Sequence, residues 1–489
     1  MPIPRRRCGH YKVLDEGQMH RVHQAVLEVL EEVGVYLEYE PALRILADCG
    51  CRVDFEKSRV FIPEHVLRKA LSTAPSRFTL HGLRPEFDVK VDIDSIYTIG
   101  GSSALFVIDL DGRRRTATLQ DLEDLTRLQD ALKNLHIMHG IVNPQDIPQD
   151  GFDRRLFPAV MKHTARNYYS QGTGGRSIAD QIEQAAVILG STDAVRARPP
   201  FTIVLCMTSP LVQARLRLEE LLACAENGIP IYVEVDAQPG ATTPITLAGT
   251  LVEECANVLC GITLAQLVRP GLPCVFAIAS GVLDMSTTTY SGADPRANLL
   301  HVATAQMAHY YNLPFQGGTG IDAVISDVQA GYERGMQVLA NALGGTNFIH
   351  LSIGLMEQMM TASYEQCVID DEILDAAFVM ARGLEVDDES LAVDVIREVG
   401  PGGHYLAHEH TLRHFRELCW FPRLTVRDRW ETFQSKGARD MRRRANDEAR
   451  RILKEHHPAY IDRRTAEELD RLAVAQQQAE IARLAREGT

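Results

Sequence analysis

The sequence predicts an α/β protein, a (β/α)8 TIM barrel with an N-terminal α/β cap and a C-terminal helical extension. Between residues 93 and 385, eight short apolar runs alternate with amphipathic helical patterns, which is typical of parallel strands joined by helices. Each run is apolar throughout, as expected for buried parallel strands. A doubly wound open sheet is the alternative, but no G-x-G-x-x-G motif follows a strand. We therefore divide the chain into a cap (1–92), a barrel (93–385) and an extension (386–489).

Eight strand–helix units follow one another through the barrel region. The predicted strands cover 96–100, 136–142, 167–171, 201–207, 230–235, 273–279, 313–315 and 347–353, and the run 104–108 could extend the first. The predicted helices begin near residues 118, 153, 177, 214, 246, 294, 327 and 363. Capping residues mark several helix ends, such as Thr118 before the first helix and Gly344-Gly345 after the seventh.

The two flanking regions differ in composition. The cap begins with a helical pattern at 19–34, and short α/β segments follow. We expect this region to cover the barrel or to take part in a dimer. The last hundred residues are helical and strongly charged, and helices that polar need a partner or stay solvated. We expect them to pack on the barrel exterior or on a second subunit.

The overall composition excludes several classes of protein. Hydrophobic residues make up 45% and charged residues 24%, and the net charge of −14 argues against a nucleic-acid-binding surface. No run of about 18 apolar residues occurs, so no membrane span is expected. The basic stretch 1–12 is followed by no apolar segment, so we do not expect a signal peptide. Ten cysteines without a C-x-x-C motif indicate a reduced, cytoplasmic protein.

Polar residues follow several predicted strands, and in a barrel the C-terminal strand ends form the site. The candidates for substrate binding are Asn143, Gln171, Glu234, Gln316 and His350. The two glutamines could instead bond neighbouring loops, and His350 could be a satisfied core histidine. Glu234 alternates with Tyr232 and Asp236 on one face of the fifth strand, and that face either lines the barrel mouth or is a solvated strand end.

A histidine-rich segment near the C-terminus offers a competing interpretation. The pairs His404/His408 and His410/His414 each have i, i+4 spacing, which on one helix face can bind zinc. The segment is not an H-E-x-x-H motif. A zinc hydrolase built on a barrel therefore stays open as an alternative to a loop at the barrel mouth.

The most informative pattern is FQGGTGIDAVISDVQAGYER at 315–334, in which a short strand enters a glycine-rich loop and a helix opens at Asp327. Together with HQAVLEVLEEVGV at 23–35 and SLAVDVIREVGPGGHYLAHEHT at 390–411, it resembles the trimethylamine methyltransferase family over nearly the whole chain. Founding members of that family carry pyrrolysine just after the aspartate of this motif, and the equivalent position here is Val328. The chain thus resembles the non-pyrrolysine members, which include glycine betaine:corrinoid methyltransferases.

The resemblance implies methyl transfer from a small quaternary amine, glycine betaine first, to a Co(I) corrinoid (cobalamin) carried by a partner protein. It implies no tightly bound metal, and we expect a homo-oligomer. Valine lacks the electrophile of pyrrolysine, so trimethylamine is expected to be a poor methyl donor. Another betaine such as carnitine or proline betaine, or a quaternary-amine-binding barrel without turnover, remains an alternative. No catalytic residue is assigned.

Two further groups of candidates come from this implied chemistry. A permanent cation in a desolvated site favours aromatic faces, which selects Tyr97, Phe315, Tyr332 and Tyr364. A corrinoid face requires close approach of the backbone, which glycine allows. The candidates for that contact are Gly100, Gly101, Gly172, Ser280, Gly317, Gly318 and Thr319. Packing of the tyrosines and ordinary turns at the glycines are the structural alternatives.

Overall fold

The computed structural model describes residues 11–487, so most of the stretch considered as a signal peptide lies outside the described residues. One eight-stranded parallel sheet forms the centre of the protein. Its strands are β1 Tyr97–Thr98, β2 Met138–His139, β3 Tyr168–Ser170, β4 Phe201–Met207, β5 Ile231–Val235, β6 Cys274–Ile278, β7 Phe315–Gly317 and β8 Phe348–Ile349. β8 pairs with β1, and a parallel bridge between Ile99 and Ile137 joins β1 to β2. The sheet is therefore closed, which confirms the predicted (β/α)8 barrel.

A helix follows each strand and packs on the outside of the sheet. The helices are α1 Leu119–Asp130, α2 Asp153–Met161, α3 Gly175–Leu189, α4 Arg215–Asn227, α5 Leu247–Val268, α6 Pro295–Tyr310, α7 Val328–Gly344 and α8 Tyr364–Arg382. Local chemistry sets their ends as predicted: the Thr118 hydroxyl accepts from the Asp121 N–H, and Gly345 ends α7 in a left-handed conformation.

The regular strands are shorter than the apolar runs that predicted them, and two predictions were wrong in detail. Strand β7 begins at Phe315 rather than at 313. The run 104–108 does not extend β1, because Phe106–Ile108 pairs with Arg114–Thr116 and Thr361–Ser363 in a separate sheet. The chain leaves the barrel between these runs through Ser103, whose φ of 60° cannot continue a strand.

The N-terminal region covers the side and the floor of the barrel. Its elements are the helix Glu16–Glu28, a π turn Val29–Val33, strands Val35–Leu37, Arg52–Asp54 and Arg59–Phe61, helices Glu40–Asp48 and Glu64–Thr73, strand Phe78–Leu80, a 3-10 turn Pro85–Phe87 and strand Val89–Val91. The helices pack on α5. Leu80 and Val89 join the apolar cluster inside the barrel, so the last hairpin closes its N-terminal end.

Helix α5 is the one described helix that is long and apolar enough to cross a membrane. Within its most apolar window, 83% of the residues are buried. Its position between the sheet and the N-terminal helices accounts for that composition, because a helix covered on all sides reads as apolar throughout.

The C-terminal region has two different parts. The long helices Met441–Glu455 and Arg463–Glu487 pack on the barrel exterior, the first on α8 and the second on α2 and α3. Residues 384–435 lie between α8 and these helices and are called the arm below. The arm contains the short helices Asp388–Leu391, Val393–Val399, Glu409–Leu418 and Trp430–Ser435, none of which has a buried residue.

Candidate active site

Strand alternation decides which side chains face the barrel interior. Tyr232 belongs to the apolar cluster inside the barrel, whereas Val233 and Val235 belong to the layer between sheet and helices. Glu234 and Asp236 share the face of Tyr232 and lie successively nearer the C-terminal end of β5. This face therefore lines the barrel mouth, where barrel enzymes hold their sites.

Glu234 is the centre of a hydrogen-bond network that three other strands supply. Its carboxylate accepts from the Tyr169 hydroxyl at 3.3 Å, from Cys206 Sγ at 3.1 Å and from the Gln316 amide. Burial raises the pKa of Glu234, and the three hydrogen bonds oppose that shift. The donors come from β3, β4 and β7, so closure of the barrel assembles the site.

Two stacked histidines continue this network. Gln316 Nε2 lies 3.2 Å from His350 Nδ1, and His350 Nε2 lies 3.1 Å from His139 Nδ1. An amide nitrogen only donates, so His350 Nδ1 accepts and the proton on its Nε2 is donated to His139. Burial lowers the pKa of His350 to about 3 and that of His139 well below its usual range. Both rings are therefore neutral at pH 7 and add no positive charge to the site.

Solvent reaches Cys206 and Asp236, whose side-chain atoms lie within 4.8 Å of Glu234. Burial is nevertheless the largest cause of the raised pKa at each of them. From these two observations we infer a recess beside Glu234, which admits water but has protein on most sides. Burial and the charge of Glu234 raise the pKa of Asp236 to about 8. Near neutral pH the recess thus holds a carboxyl group that a bound cation would ionise.

A tyrosine on a loop hairpin lies close to these carboxyl groups. Tyr290 belongs to the hairpin 282–291 after β6, and its hydroxyl donates to the Ala279 carbonyl at 2.8 Å. Burial and the charge of Asp236 raise the pKa of Tyr290. With Tyr169 bonded to Glu234, tyrosines and carboxyl groups therefore meet in one region. Such a combination suits an organic cation.

Exposed apolar side chains lie on the loops around the barrel mouth. They come from the loops after β5, β6, β7 and β8, and each is between 40% and 86% exposed. We call them the apolar rim: Ile245, Met285, Val324, Ile325, Val328 and Met360. Exposed apolar surface of this kind usually marks an interaction site.

Two of the predicted polar candidates lie on the mouth side beside this network. Asn143 follows β2, and its side-chain oxygen is buried without a hydrogen-bond partner among the described residues. Gln171 follows β3 and is half-buried, and its backbone carbonyl accepts from the Gln181 side chain. Both remain candidates for contact with a substrate.

Two predicted aromatic candidates face away from the site. Tyr97 is the first residue of β1 and so lies at the floor of the barrel, where its hydroxyl donates to the Lys90 carbonyl at 2.6 Å. Phe315 precedes the inward-facing Gln316, so its ring points outward and packs with Phe276 between sheet and helices. Neither ring borders the recess.

The remaining residues of the prediction lie at the periphery. Tyr364 donates its hydroxyl to Asp121 at 3.1 Å, which links α8 to α1. Tyr332 is 56% exposed on α7. Val328 begins α7 and is 86% exposed, so it belongs to the apolar rim rather than to the hydrogen-bonded network.

The space beside the candidate glycines is filled by the protein itself. A Cβ at Gly318 would lie 2.3 Å from the His350 carbonyl oxygen, and its φ of +124° also excludes most side chains. An added Cβ would come within 3.0 Å of another residue at Gly100, Gly101, Gly172 and Gly317 as well. These glycines allow close packing inside the fold, which corrects the expectation that they leave room for a corrinoid.

The two hydroxyl candidates for corrinoid contact are also occupied by the fold. Ser280 accepts from the Ala237 N–H at 2.9 Å, and Thr319 donates to the Gly292 carbonyl at 2.7 Å. Both side chains are buried. They join the loops after β5, β6 and β7 to one another.

The histidine-rich segment lies in the arm, outside the barrel. His408 lies 3.5 Å from Glu398 and His414 lies 3.4 Å from Glu389, so both rings contact carboxylates. Among the described residues, the group with closely placed metal-ligand atoms is Cys206, Glu234 and Asp236, all within 4.8 Å of one another. The histidines at 404–414, whose spacing suggested a zinc site, thus do not form such a group among the described residues.

Sequence reasoning missed several residues of the site. His139, Tyr169 and Cys206 were overlooked because each lies within an apolar run, although alternation would have placed them inside the barrel. Cys206 stands directly opposite Glu234 in the pairing of β4 with β5. Tyr290 belongs to a hairpin that no pattern in the sequence predicted.

The closed barrel and the recess at its mouth define a (β/α)8-barrel enzyme. Residues 1–482 match the family "Trimethylamine methyltransferase (MTTB)". The chain is 34% identical over 454 residues to the glycine betaine methyltransferase of Desulfitobacterium hafniense (strain Y51), covering 92% of this chain and 94% of that protein. It is 32% identical to the trimethylamine methyltransferase of D. hafniense (strain DSM 10664 / DCB-2), covering 92% and 91% of the two chains.

The chain therefore belongs to the trimethylamine methyltransferase family, and it is a methyltransferase. A solved structure supports the fold: the Methanosarcina barkeri monomethylamine methyltransferase aligns with a TM-score of 0.55, covering 91% of this chain and 89% of that one. At 12% sequence identity, that similarity concerns the fold alone.

Proposed function

We propose that this enzyme transfers a methyl group from a quaternary amine, with glycine betaine as the first candidate, to the Co(I) corrinoid of a separate protein. One observation carries the proposal: the side-chain atoms of Glu234, Asp236 and Cys206 lie within 4.8 Å of one another at the C-terminal end of β5 in a methyltransferase barrel. The name of the relative at 34% identity, a glycine betaine methyltransferase, points to the same class of substrate.

A permanent cation is the ligand that this recess favours. Two carboxylates in a desolvated site would repel each other, and a positive charge between them offsets that repulsion and lets both ionise. Tyr290, which is half-buried, adds an aromatic face worth roughly 0.5–2 kcal/mol to a cation. A quaternary ammonium keeps its positive charge at every pH, whereas a protonated amine loses its charge when it gives up the proton.

The proposed reaction does not require general acid or base catalysis. A quaternary amine releases a neutral tertiary amine when it loses a methyl group, so no general acid is required. The neutral His139 and His350 fit this requirement, because they order Gln316 and Glu234 without supplying a proton. The task of the protein is to orient one N–CH₃ bond toward the mouth and to exclude water. Asn143 and Gln171 are candidates to bind the carboxylate of a betaine.

The apolar rim would receive the partner protein with its corrinoid. The reduced corrinoid supplies the nucleophile that accepts the methyl group. Rim residues such as Met285, Ile325 and Val328 offer an apolar face at the mouth, which fits a flat macrocycle and a protein surface. The nine described cysteines are all unpaired, which supports a reducing, cytoplasmic location where Co(I) is sustained.

The test combines the purified enzyme with Co(I) cobalamin and one amine at a time, and follows the absorbance change to methyl-Co(III). We expect glycine betaine to methylate cobalamin far faster than trimethylamine, with carnitine and proline betaine as comparison donors. Comparable rates with trimethylamine would contradict the proposal. Calorimetric binding of a betaine without any spectral change would instead favour binding without turnover.

A further inference from the structure

We propose that Asp322, on the loop after β7, is a positioning residue for substrate binding: it holds the hairpin 282–291 so that the ring of Tyr290 faces the recess. This role depends on the proposed function, because it concerns a cation bound beside Glu234 and Asp236. Three features of the structure support it: the hydrogen bonds between the two loops, the packing of the Tyr290 ring and the anchoring of Asp322 itself.

Asp322 joins the loop after β7 to the hairpin 282–291. Its carboxylate accepts from the Ser291 hydroxyl and from the Gly292 N–H, the latter at 3.0 Å. These two donors lie at the end of the second hairpin strand, directly after Tyr290. The carboxylate therefore fixes the backbone next to the ring.

Few other bonds hold the hairpin in place. The residues at its tip, 285–289, are exposed. Among the described residues, the other hydrogen bonds recorded between 282–292 and the rest of the chain are those from the Tyr290 hydroxyl to the Ala279 carbonyl and from the Thr319 hydroxyl to the Gly292 carbonyl. Loss of the Asp322 carboxylate would thus remove two of four bonds.

The Tyr290 ring lies close to the carboxyl groups of the recess. An added Cβ at Gly281 would lie 2.4 Å from two atoms of the ring, so the ring packs directly on the backbone after β6. Burial raises the pKa of Tyr290 most, and the charges of Asp236 and Asp322 raise it further. A shift of the hairpin would therefore move this ring relative to a cation bound beside Asp236.

Asp322 can hold the hairpin because helix α7 fixes its own backbone. The buried Glu333 carboxylate accepts from the N–H groups of Asp322 at 2.9 Å and of Ala323 at 3.0 Å. Gln329 Nε2 donates to the same carboxylate at 2.7 Å. The hairpin that carries Tyr290 is thereby linked to a helix of the barrel.

The experiment measures glycine betaine affinity by calorimetry and hydrogen–deuterium exchange in the purified full-length protein. Asp322→Ala should weaken binding about 10-fold, the equivalent of one aromatic contact with a cation. It should also speed exchange across 282–292 while exchange in the barrel strands stays as in the wild type. Ser291→Ala removes one of the two donors, carries less risk to folding and should weaken binding about threefold.

Two further variants separate position from charge. Asp322→Asn keeps an oxygen acceptor for the Gly292 N–H but loses the charge, so its affinity should stay within about threefold of the wild type. Asp294→Ala removes a carboxylate that accepts from a backbone N–H at the start of α6, and this matched control should change neither readout.

A double variant tests whether Asp322 acts through Tyr290. Tyr290→Leu removes the ring, and adding Asp322→Ala should then weaken binding no further. Additive losses, equal losses in Asp322→Ala and Asp322→Asn, or unchanged exchange of the hairpin would each overturn the proposed role. Normal betaine binding in Asp322→Ala would overturn it alone, whereas a wild type that binds no quaternary amine would overturn it together with the proposed function.

Discussion

The barrel mouth and the arm handle charge and apolar surface in opposite ways. The mouth takes carboxyl groups out of water and satisfies Glu234 with donors from three strands. The arm leaves its carboxylates and all its leucines except Leu424 in water, and it buries no residue of its four helices. Burial of carboxyl groups at the mouth supports the proposal that this region binds a small cation, whereas the arm leaves its apolar side chains in contact with water.

Arg334→Met should lower the free energy of unfolding more than any other change considered, and a matched variant on the arm should leave it unchanged. Arg334 is fully buried 3.3 Å from Asp370, and its guanidinium also donates to the carbonyls of Leu351 and Leu355. Removal leaves a buried carboxylate without its partner, which costs about 3–5 kcal/mol. Denaturant unfolding should show this loss. The control Arg397→Met breaks an exposed ion pair with Asp394 on the arm and should leave the unfolding curve unchanged.

Glu234→Gln tests whether charge at the mouth binds the substrate. The amide keeps the shape but removes the buried negative charge, so affinity for glycine betaine should fall about 100-fold. Isothermal calorimetry measures the effect, and Glu226→Gln at an exposed position of α4 serves as the control. Unchanged affinity in Glu234→Gln would mean that the cation binds elsewhere.

The pH dependence of substrate affinity tests the role of Asp236 at the barrel mouth. The pKa of Asp236 is about 8 in the free protein, so the carboxyl is protonated below that pH and a cation must displace the proton. Affinity for a quaternary amine should therefore rise about 25-fold from pH 6.5 to 8.5, with proton release in calorimetry. Asp236→Asn should remove this dependence. A pH-independent wild type would show that Asp236 does not face the ligand.

Val328→Ala should have the smallest effect. Its side chain is 86% exposed on the apolar rim and makes no part of the Glu234 network, so betaine affinity should change by less than about twofold. Calorimetry with glycine betaine checks this. A tenfold change would place position 328 in contact with the substrate after all.

Much of the fold could be predicted because local rules act on neighbouring residues. The eight apolar runs, the caps at Thr118 and Gly345 and the inward face of β5 all follow from periodicity and backbone chemistry. The predictions for Tyr97 and Phe315 were wrong because the identity of an aromatic residue does not show at which end of a strand, or on which face of the sheet, its ring lies. Tyr97 lies at the opposite end of the barrel from the recess. Phe315 lies one residue before the inward-facing Gln316, so its ring points outward.

The sequence by itself determined the barrel, its strand order and the carboxylates available at the end of β5, because periodic apolar runs have few ways to be buried. Only the tertiary structure decided which residues share a site with Glu234. Cys206, Gln316 and His350 come from strands far apart in the chain, and closure of the sheet brings them together. It also decided that the arm remains uncovered, since the exposure of a side chain depends on what packs against it and not on its own chemistry.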